Sequence, residues 1–235
     1  KKNFDDVTKS SEFSNLANDC LQAIKTIFKT KSNVIIYPAS GTGAWEAALV
    51  NTLNEDDLVL MVETGHFASL WNKMAHRLGI KTEFLKTDWQ RGAMPEKIYE
   101  RLKKDPENQI KAVCVVHNET STGSTSRIKE VKDAINSANH DALLMVDTIS
   151  GLASMEYKHD EWGIDVTVSG SQKGLMLPPG LSFNAISEKA IKISKKSGMR
   201  RSYWDWEEQI EANRSGSFPY TCLLYTSDAA DERNS

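Results

Sequence analysis

Ile110-Lys-Ala-Val-Cys-Val-Val-His117 is an apolar run of strand length, too continuous for a sheet face that meets water. A strand of this kind is buried on both faces, which places it inside a parallel sheet with helices on either side. Outward from it, apolar runs alternate with helix-period stretches. Strands are predicted over 33–37, 58–62, 81–85, 110–117, 142–147, 165–169 and 181–185, and helices over 13–30, 43–53, 68–78, 95–104, 128–138 and 187–196. That rhythm predicts one α/β domain, a three-layer sandwich around a seven-stranded, mainly parallel sheet. Pro95 suits a first helical turn, Asp105-Pro-Glu-Asn108 is a turn, and Leu177-Pro-Pro-Gly180 marks a sharp connection before the last strand.

Composition narrows the partners. Among 235 residues, 29 Lys and Arg oppose 32 Asp and Glu, and 40% are hydrophobic, which excludes a disordered, collagenous or disulfide-scaffold chain. A net charge of -3 gives no reason to expect nucleic acid or an anionic membrane surface as partner. Cys20, Cys114 and Cys222 are widely spaced and form no CxxC or Cys/His set, so neither a zinc site nor a disulfide framework is suggested and a cytoplasmic setting fits best. No run approaches the roughly 20 apolar residues of a membrane span.

In an open α/β sheet, ligands gather at the carboxyl ends of the strands. After the first predicted strand comes Pro38-Ala-Ser-Gly-Thr-Gly43, opening a helix. Such a turn offers backbone N–H groups, hydroxyls and the positive end of a helix dipole to a phosphate, or else Ser40 or Thr42 simply caps the helix. A P-loop is excluded because Gly43 is followed by Ala44-Trp45 instead of Lys-Ser/Thr, and Glu46 stands where a dinucleotide fingerprint needs a small residue. Asp147 ends the run Ala142-Leu-Leu-Met-Val146, where its carboxylate can hold a cationic ring nitrogen or a metal, or cap the following turn. No His/carboxylate set lies nearby, since His140 and His159 fall at the opposite ends of neighbouring elements, so a metal is disfavoured. Lys173 follows the sixth strand in Ser169-Gly-Ser-Gln-Lys-Gly174. By itself it reads as a solvated loop lysine. With a phosphate turn and a strand-end Asp it completes a pyridoxal phosphate kit: a Schiff-base lysine, a pyridinium partner and a phosphate seat.

Ser169-Gly-Ser-Gln-Lys-Gly-Leu-Met-Leu-Pro-Pro-Gly-Leu-Ser182 resembles the lysine loop of class V pyridoxal-phosphate aminotransferases, nearest their serine–glyoxylate and alanine–glyoxylate branches. The likeness extends over Glu63-Thr-Gly-His-Phe-Ala-Ser-Leu-Trp71, Val116-His-Asn-Glu-Thr-Ser-Thr-Gly123, Leu144-Met-Val-Asp-Thr-Ile-Ser150, His159-Asp-Glu-Trp-Gly-Ile-Asp165 and Ser202-Tyr-Trp-Asp-Trp206, nearly all of 14–221. The resemblance implies the large domain of fold-type I transferases. Lys173 would carry the cofactor aldehyde and shuttle protons, Asp147 would pair with the pyridine nitrogen, and Phe67 would stack on the ring where many relatives have Trp or His. Ser40, Gly41 and Thr42 would seat the phosphate with Gln172, and Thr120 would approach the ring hydroxyl. Thr42 departs from the His of the alanine–glyoxylate branch, though a hydroxyl still donates to phosphate. Phe67 as a core aromatic and Thr120 as a turn former are the alternatives. The implied reaction is ping-pong transfer of the amino group of a small amino acid, serine or else alanine, to glyoxylate, giving glycine and a 2-keto acid. A cysteine-desulfurase-like lyase is the alternative within the class, but neither Cys20 nor Cys114 is placed for its mobile-loop thiol.

Relatives are longer, so 1–221 is expected to be a cofactor domain truncated at both ends, without the small domain that carries a substrate arginine; none of Arg127, Arg200, Arg201 or Arg214 falls on that motif. Gly216-Ser-Phe-Pro-Tyr-Thr221 resembles the piece that reaches across a homodimer to the neighbour's cofactor phosphate, which makes Thr221 a cofactor-binding candidate. Cys222 to Ser235 has no family counterpart and is read as a non-native tail. A non-catalytic fragment is the competing expectation for the chain as it stands.

Overall fold

In the computed structural model, which describes residues 10–220, seven strands form one sheet. They are β1 (Asn33–Tyr37), β2 (Leu58–Val62), β3 (Lys81–Leu85), β4 (Ile110–Val116), β5 (Leu143–Asp147), β6 (Val166–Gly170) and β7 (Ser182–Ile186), in spatial order β1-β7-β6-β5-β4-β2-β3. Pairings from β3 through β2, β4 and β5 to β6 are parallel, whereas β7 runs antiparallel to both β6 and β1. The exception has a local cause. No helix lies between β6 and β7, and the Pro-Pro-Gly segment turns the chain straight back, so β7 pairs with β6 as a hairpin neighbour does.

Helices α1 (Ser11–Phe28), α2 (Gly41–Thr52), α3 (His66–Arg77), α4 (Pro95–Lys103), α5 (Ile128–Ser137), α6 (Glu188–Ser194) and α7 (Trp206–Arg214) cover the two faces. Side chains of β4 alternate between the two cores. Val113 and Val115 join Phe28, Ile98, Leu102 and Val131 on the face of α1, α4 and α5. Ala112 and Cys114 join Trp45, Leu49, Trp71 and Trp206 on the face of α2, α3 and α7. The continuous run of β4 is therefore apolar because both of its faces are buried.

Differences from expectation lie mainly at element ends. α2 begins at Gly41, two residues early, because Ser40 takes the extended N-cap conformation (φ -81°, ψ 169°). β4 stops at Val116, leaving His117 beyond it. β6 starts one residue late, since the Asp165 carboxylate is taken by the Leu144 N–H (2.9 Å) and Lys132 (3.3 Å). α7 was not expected: its residues are polar, yet Asp205 caps it by accepting from the Glu207 and Glu208 N–H groups, an N-terminal signature present in the sequence.

α7 and the aromatic run before it close the β1 end of the α2 face. The Trp204 carbonyl accepts from the Tyr37 hydroxyl (3.2 Å) and from Asn51 Nδ2 (2.7 Å), while Asn51 Oδ1 accepts from the Trp206 N–H (3.1 Å). Trp206 is 1% exposed, so Trp206→Ala should cost about 3–5 kcal/mol of stability by opening a cavity beneath α7. Urea unfolding of the purified protein checks this.

Candidate functional site

The carboxyl ends of β1, β4, β5 and β6 and the N-terminus of α2 surround a cavity of about 260 Å³. Its walls include Ser40, Gly41, Thr42, Phe67, Thr120, Asp147, Gln172 and Lys173, together with Trp45, Asn118, Ile149 and Ser150. Eight of the nine residues singled out from the sequence thus meet in one place, although they come from five separate segments. Thr221 lies outside the described residues.

α2 aims its first turn at this cavity. The Ser40 side chain makes no capping hydrogen bond, so the alternative of a plain hydroxyl cap by Ser40 does not hold; its carbonyl accepts from the Gly43 N–H (2.9 Å). An uncapped helix start presents N–H groups and the positive end of the dipole. Gly41 and Gly43 are demanded by packing. A Cβ on Gly41 would collide with the Ile149 side chain, and one on Gly43 would sit 2.6 Å from Trp204 Cη2. The two glycines let the helix start press between the cavity wall and the aromatic run.

Asp147 ends β5. With side chains alternating along a strand, it shares a face with Leu143 and Met145, the face covered by α2. Its carboxylate is 3% exposed, accepts from the Ile149 N–H at Oδ1 (2.7 Å) and from the Trp45 indole at Oδ2 (2.8 Å). The first contact is the turn cap expected as an alternative; the second leaves the same group directed at the cavity. Burial pushes its pKa up to about 7, the two donors work against that, and the Glu119 charge adds to it. Such a carboxylate gains most from an arriving cation.

Lys173 lies beyond β6, exposed at the cavity wall. Its loop is pinned by Ser171, whose hydroxyl donates to the Pro178 carbonyl (2.6 Å) and accepts from the Leu181 N–H (3.2 Å). Phe67, half-buried, sits in the first turn of α3, and Thr120 in the turn closed by the Glu119 N–H on the Ser124 carbonyl (2.9 Å).

Two side chains that hold the assigned residues in place went unassigned in the sequence. Trp45 is one, reaching Asp147 from one turn inside α2. Glu119 is the other: fully buried, it accepts from the Phe67 (3.3 Å) and Ala68 (3.2 Å) N–H groups and from the Ser121 hydroxyl (2.7 Å). It therefore caps α3, whose own N-cap position is Gly65, and fixes Phe67 relative to Thr120. The signal for it was a Glu inside a turn otherwise made of small polar residues. Of the described cysteines, Cys20 is exposed on α1 and Cys114 is buried in β4 with its thiol pushed up by burial, and neither lines the cavity. Among the described residues, no cluster of His, Cys, Asp and Glu is arranged to hold a metal, and no helix is long and apolar enough to cross a membrane.

A raised carboxylate pKa has a defined sign in stability. Well below pH 4 Asp147 is neutral folded or unfolded; from about pH 4 to about 7 the unfolded chain is ionised ahead of the folded one, so the folded state loses ground as pH rises. With nothing bound, the stability difference between Asp147→Asn and the parent should therefore move toward the variant by roughly 4 kcal/mol from pH 4 to pH 8. Urea titrations at both pH values measure it, and a constant pH-independent cost of the variant cancels. Glu119→Ala should destabilise by about 2–3 kcal/mol through loss of the α3 cap, and Glu119→Gln by less, in the same assay.

Comparison with known proteins follows the same residues. The Aminotransferase class-V family profile matches residues 5–212. A serine–glyoxylate aminotransferase of Methylorubrum extorquens is 47% identical over 219 residues, which are 91% of this chain and 54% of that protein. An L-aspartate–glyoxylate aminotransferase of Paracoccus denitrificans is 37% identical over 214 residues, again 91% of this chain and 54% of its own length. The crystal structure of an alanine–glyoxylate aminotransferase from Nostoc sp. superposes with a TM-score of 0.84 at 25% identity, covering 92% of this chain and 57% of that one. The chain spans about half the length of the curated relatives it matches. The fold is that of the large domain of fold-type I transferases, as the resemblance implied. Because the match runs from ahead of α1 into α7, through the turn, the strand end and the loop that wall the cavity, this chain belongs to the class-V aminotransferase family.

Proposed function

We propose that residues 1–221 are the cofactor-binding domain of a pyridoxal-phosphate-dependent aminotransferase that passes the amino group of a small amino acid, serine before alanine, to glyoxylate. The observation that carries this is the meeting of an uncapped α2 start, the buried Asp147 carboxylate and Lys173 around one cavity. The donor and acceptor follow the serine–glyoxylate relative at 47% identity.

The residues present fit the cofactor. Ser40, Gly41 and Thr42 offer hydroxyls and the helix dipole to a phosphate, with Gln172 on the same wall. Asp147, buried and short of a cation, suits a protonated pyridine nitrogen, which would bring its pKa back down. Phe67 offers an aromatic face and Thr120 a hydroxyl. When bound, pyridoxal phosphate supplies an electron sink for the bond broken at the amino acid Cα. With the cofactor in place, Asp147 as carboxylate would hold a proton on the ring nitrogen, and the Lys173 amine would carry the proton from the amino acid Cα. Phe67 and Ile149 would wall the ring, and Glu119 holds the start of α3, and with it Phe67, through the α3 cap. The full-length protein is read as a homodimer in which Thr221 serves the neighbour's phosphate.

Mixing the full-length protein with pyridoxal phosphate should produce a visible absorption band that is absent in Lys173→Ala, and glycine formation from glyoxylate should be fastest with serine among serine, alanine and aspartate. A band that persists in Lys173→Ala overturns the assignment of the lysine. Faster turnover with aspartate overturns the choice of donor.

A further inference from the structure

Trp45 donates its indole N–H to Asp147 Oδ2 at 2.8 Å and is 2% exposed. The other carboxylate oxygen is held by the Ile149 N–H at 2.7 Å, so the two donors fix the plane of the carboxylate as well as its place. The indole is itself held by stacking on Trp71, with ring centroids 5.9 Å apart and planes 13° from parallel. Trp71 makes the comparison that separates packing from positioning. It belongs to the same stack and is as deeply buried, yet its own indole nitrogen has no hydrogen-bond partner. The stack therefore tolerates an unpaired indole N–H, and the pairing of Trp45 with Asp147 is not forced by burial alone.

The helix that carries Trp45 is also the helix whose first turn walls the phosphate end of the cavity. Ser40 and Trp45 are five residues apart, about 7.5 Å along the axis of α2. We propose that Trp45 is a positioning residue: it ties Asp147 to α2, so that one rigid helix sets the distance between the group that meets the ring nitrogen and the group that meets the phosphate. This rests on the cavity's being a pyridoxal phosphate site. The indole also stabilises the ionised form of Asp147 against the burial and the Glu119 charge that oppose it. Other groups that face or border Asp147 are the Tyr157 hydroxyl, Lys173 across the cavity, and His117, whose backbone N–H donates to the Asp147 carbonyl (2.8 Å).

The test uses the full-length protein labelled with ¹⁵N-tryptophan. With cofactor removed, the Trp45 indole N–H resonance should shift between pH 5 and pH 9 with a single midpoint, and the shift should vanish in Asp147→Asn. Trp45→Phe, which keeps an aromatic ring on Trp71 but removes the donor, should weaken pyridoxal phosphate binding at least about tenfold and move the rise of affinity with pH upward by about one unit. Trp71→Phe, which disturbs the stack and leaves the donor, should leave both within twofold. An indole resonance that Asp147→Asn leaves unchanged at every pH overturns the proposal, as does Trp45→Phe binding with parental affinity and pH profile. Should Trp45→Phe fail to fold, the indole resonance compared between the unsubstituted protein and Asp147→Asn decides alone. An unsubstituted protein that binds no pyridoxal phosphate while its Trp45 resonance titrates overturns the cofactor reading and leaves the tie between Trp45 and Asp147 standing.

Discussion

Burying one carboxylate at the tip of a central strand is the constraint around which this chain is organised. Asp147 is 3% exposed and is held by two donors, one from the next turn of its own chain and one from α2. For the second donor to reach it, α2 must lie hard against β5 and the turn after it. That closeness excludes side chains at Gly41, against Ile149, and at Gly43, against Trp204. The aromatic run from Tyr203 to Trp206 then fills the outer side of α2, tied to Asn51 and Asn184 inside the fold. A sequence of glycine, tryptophan and asparagine positions that looks local is in this way one packing solution to a single charged group.

How much of this could be read in advance follows from the range of each interaction. β1, β2 and β3 are found at the residues expected, because strand periodicity and the turns that bound it are local properties. Asp147 was legible for the same reason, since it ends an apolar run at the ligand edge; Lys173, by itself a loop lysine, was legible only in company with Asp147 and the turn at Ser40. Trp45 was not, since its partner is 102 residues away and an aromatic on a helix ordinarily means core. Glu119 was not, since it caps a helix that begins 53 residues before it, and the capped helix shows only glycine at its own N-cap. α2 and α3 each start two residues before the predicted position, where distant contacts or the packing of a glycine turn set the end; α1 also starts two residues early, at Ser11, on its local Ser10 cap. α7 is the reverse case: its cap was local and visible, but nothing in its polar face announced a helix whose buried side is one tryptophan and one glutamine.

The face of the sheet opposite the cavity explains why the carboxylate stays available. Just behind the strand tips lie His117 against Tyr157 and Trp162, and His159 joined through Thr167 to the Tyr157 hydroxyl by contacts of 2.7 Å. Either histidine, if charged, would be a buried cation on this face of the sheet. Burial instead pushes both down to about 4, so both are neutral at physiological pH, and Tyr157 keeps its proton for the same reason. The groups behind the site thus contribute no charge, and His117 Nδ1 and His159 Nε2 are buried without a hydrogen-bond partner. The open side of Asp147 is the cavity, walled by Lys173 and the first turn of α2, and under the proposed function a ligand with a positive ring nitrogen at one end and an anionic group at the other would meet both.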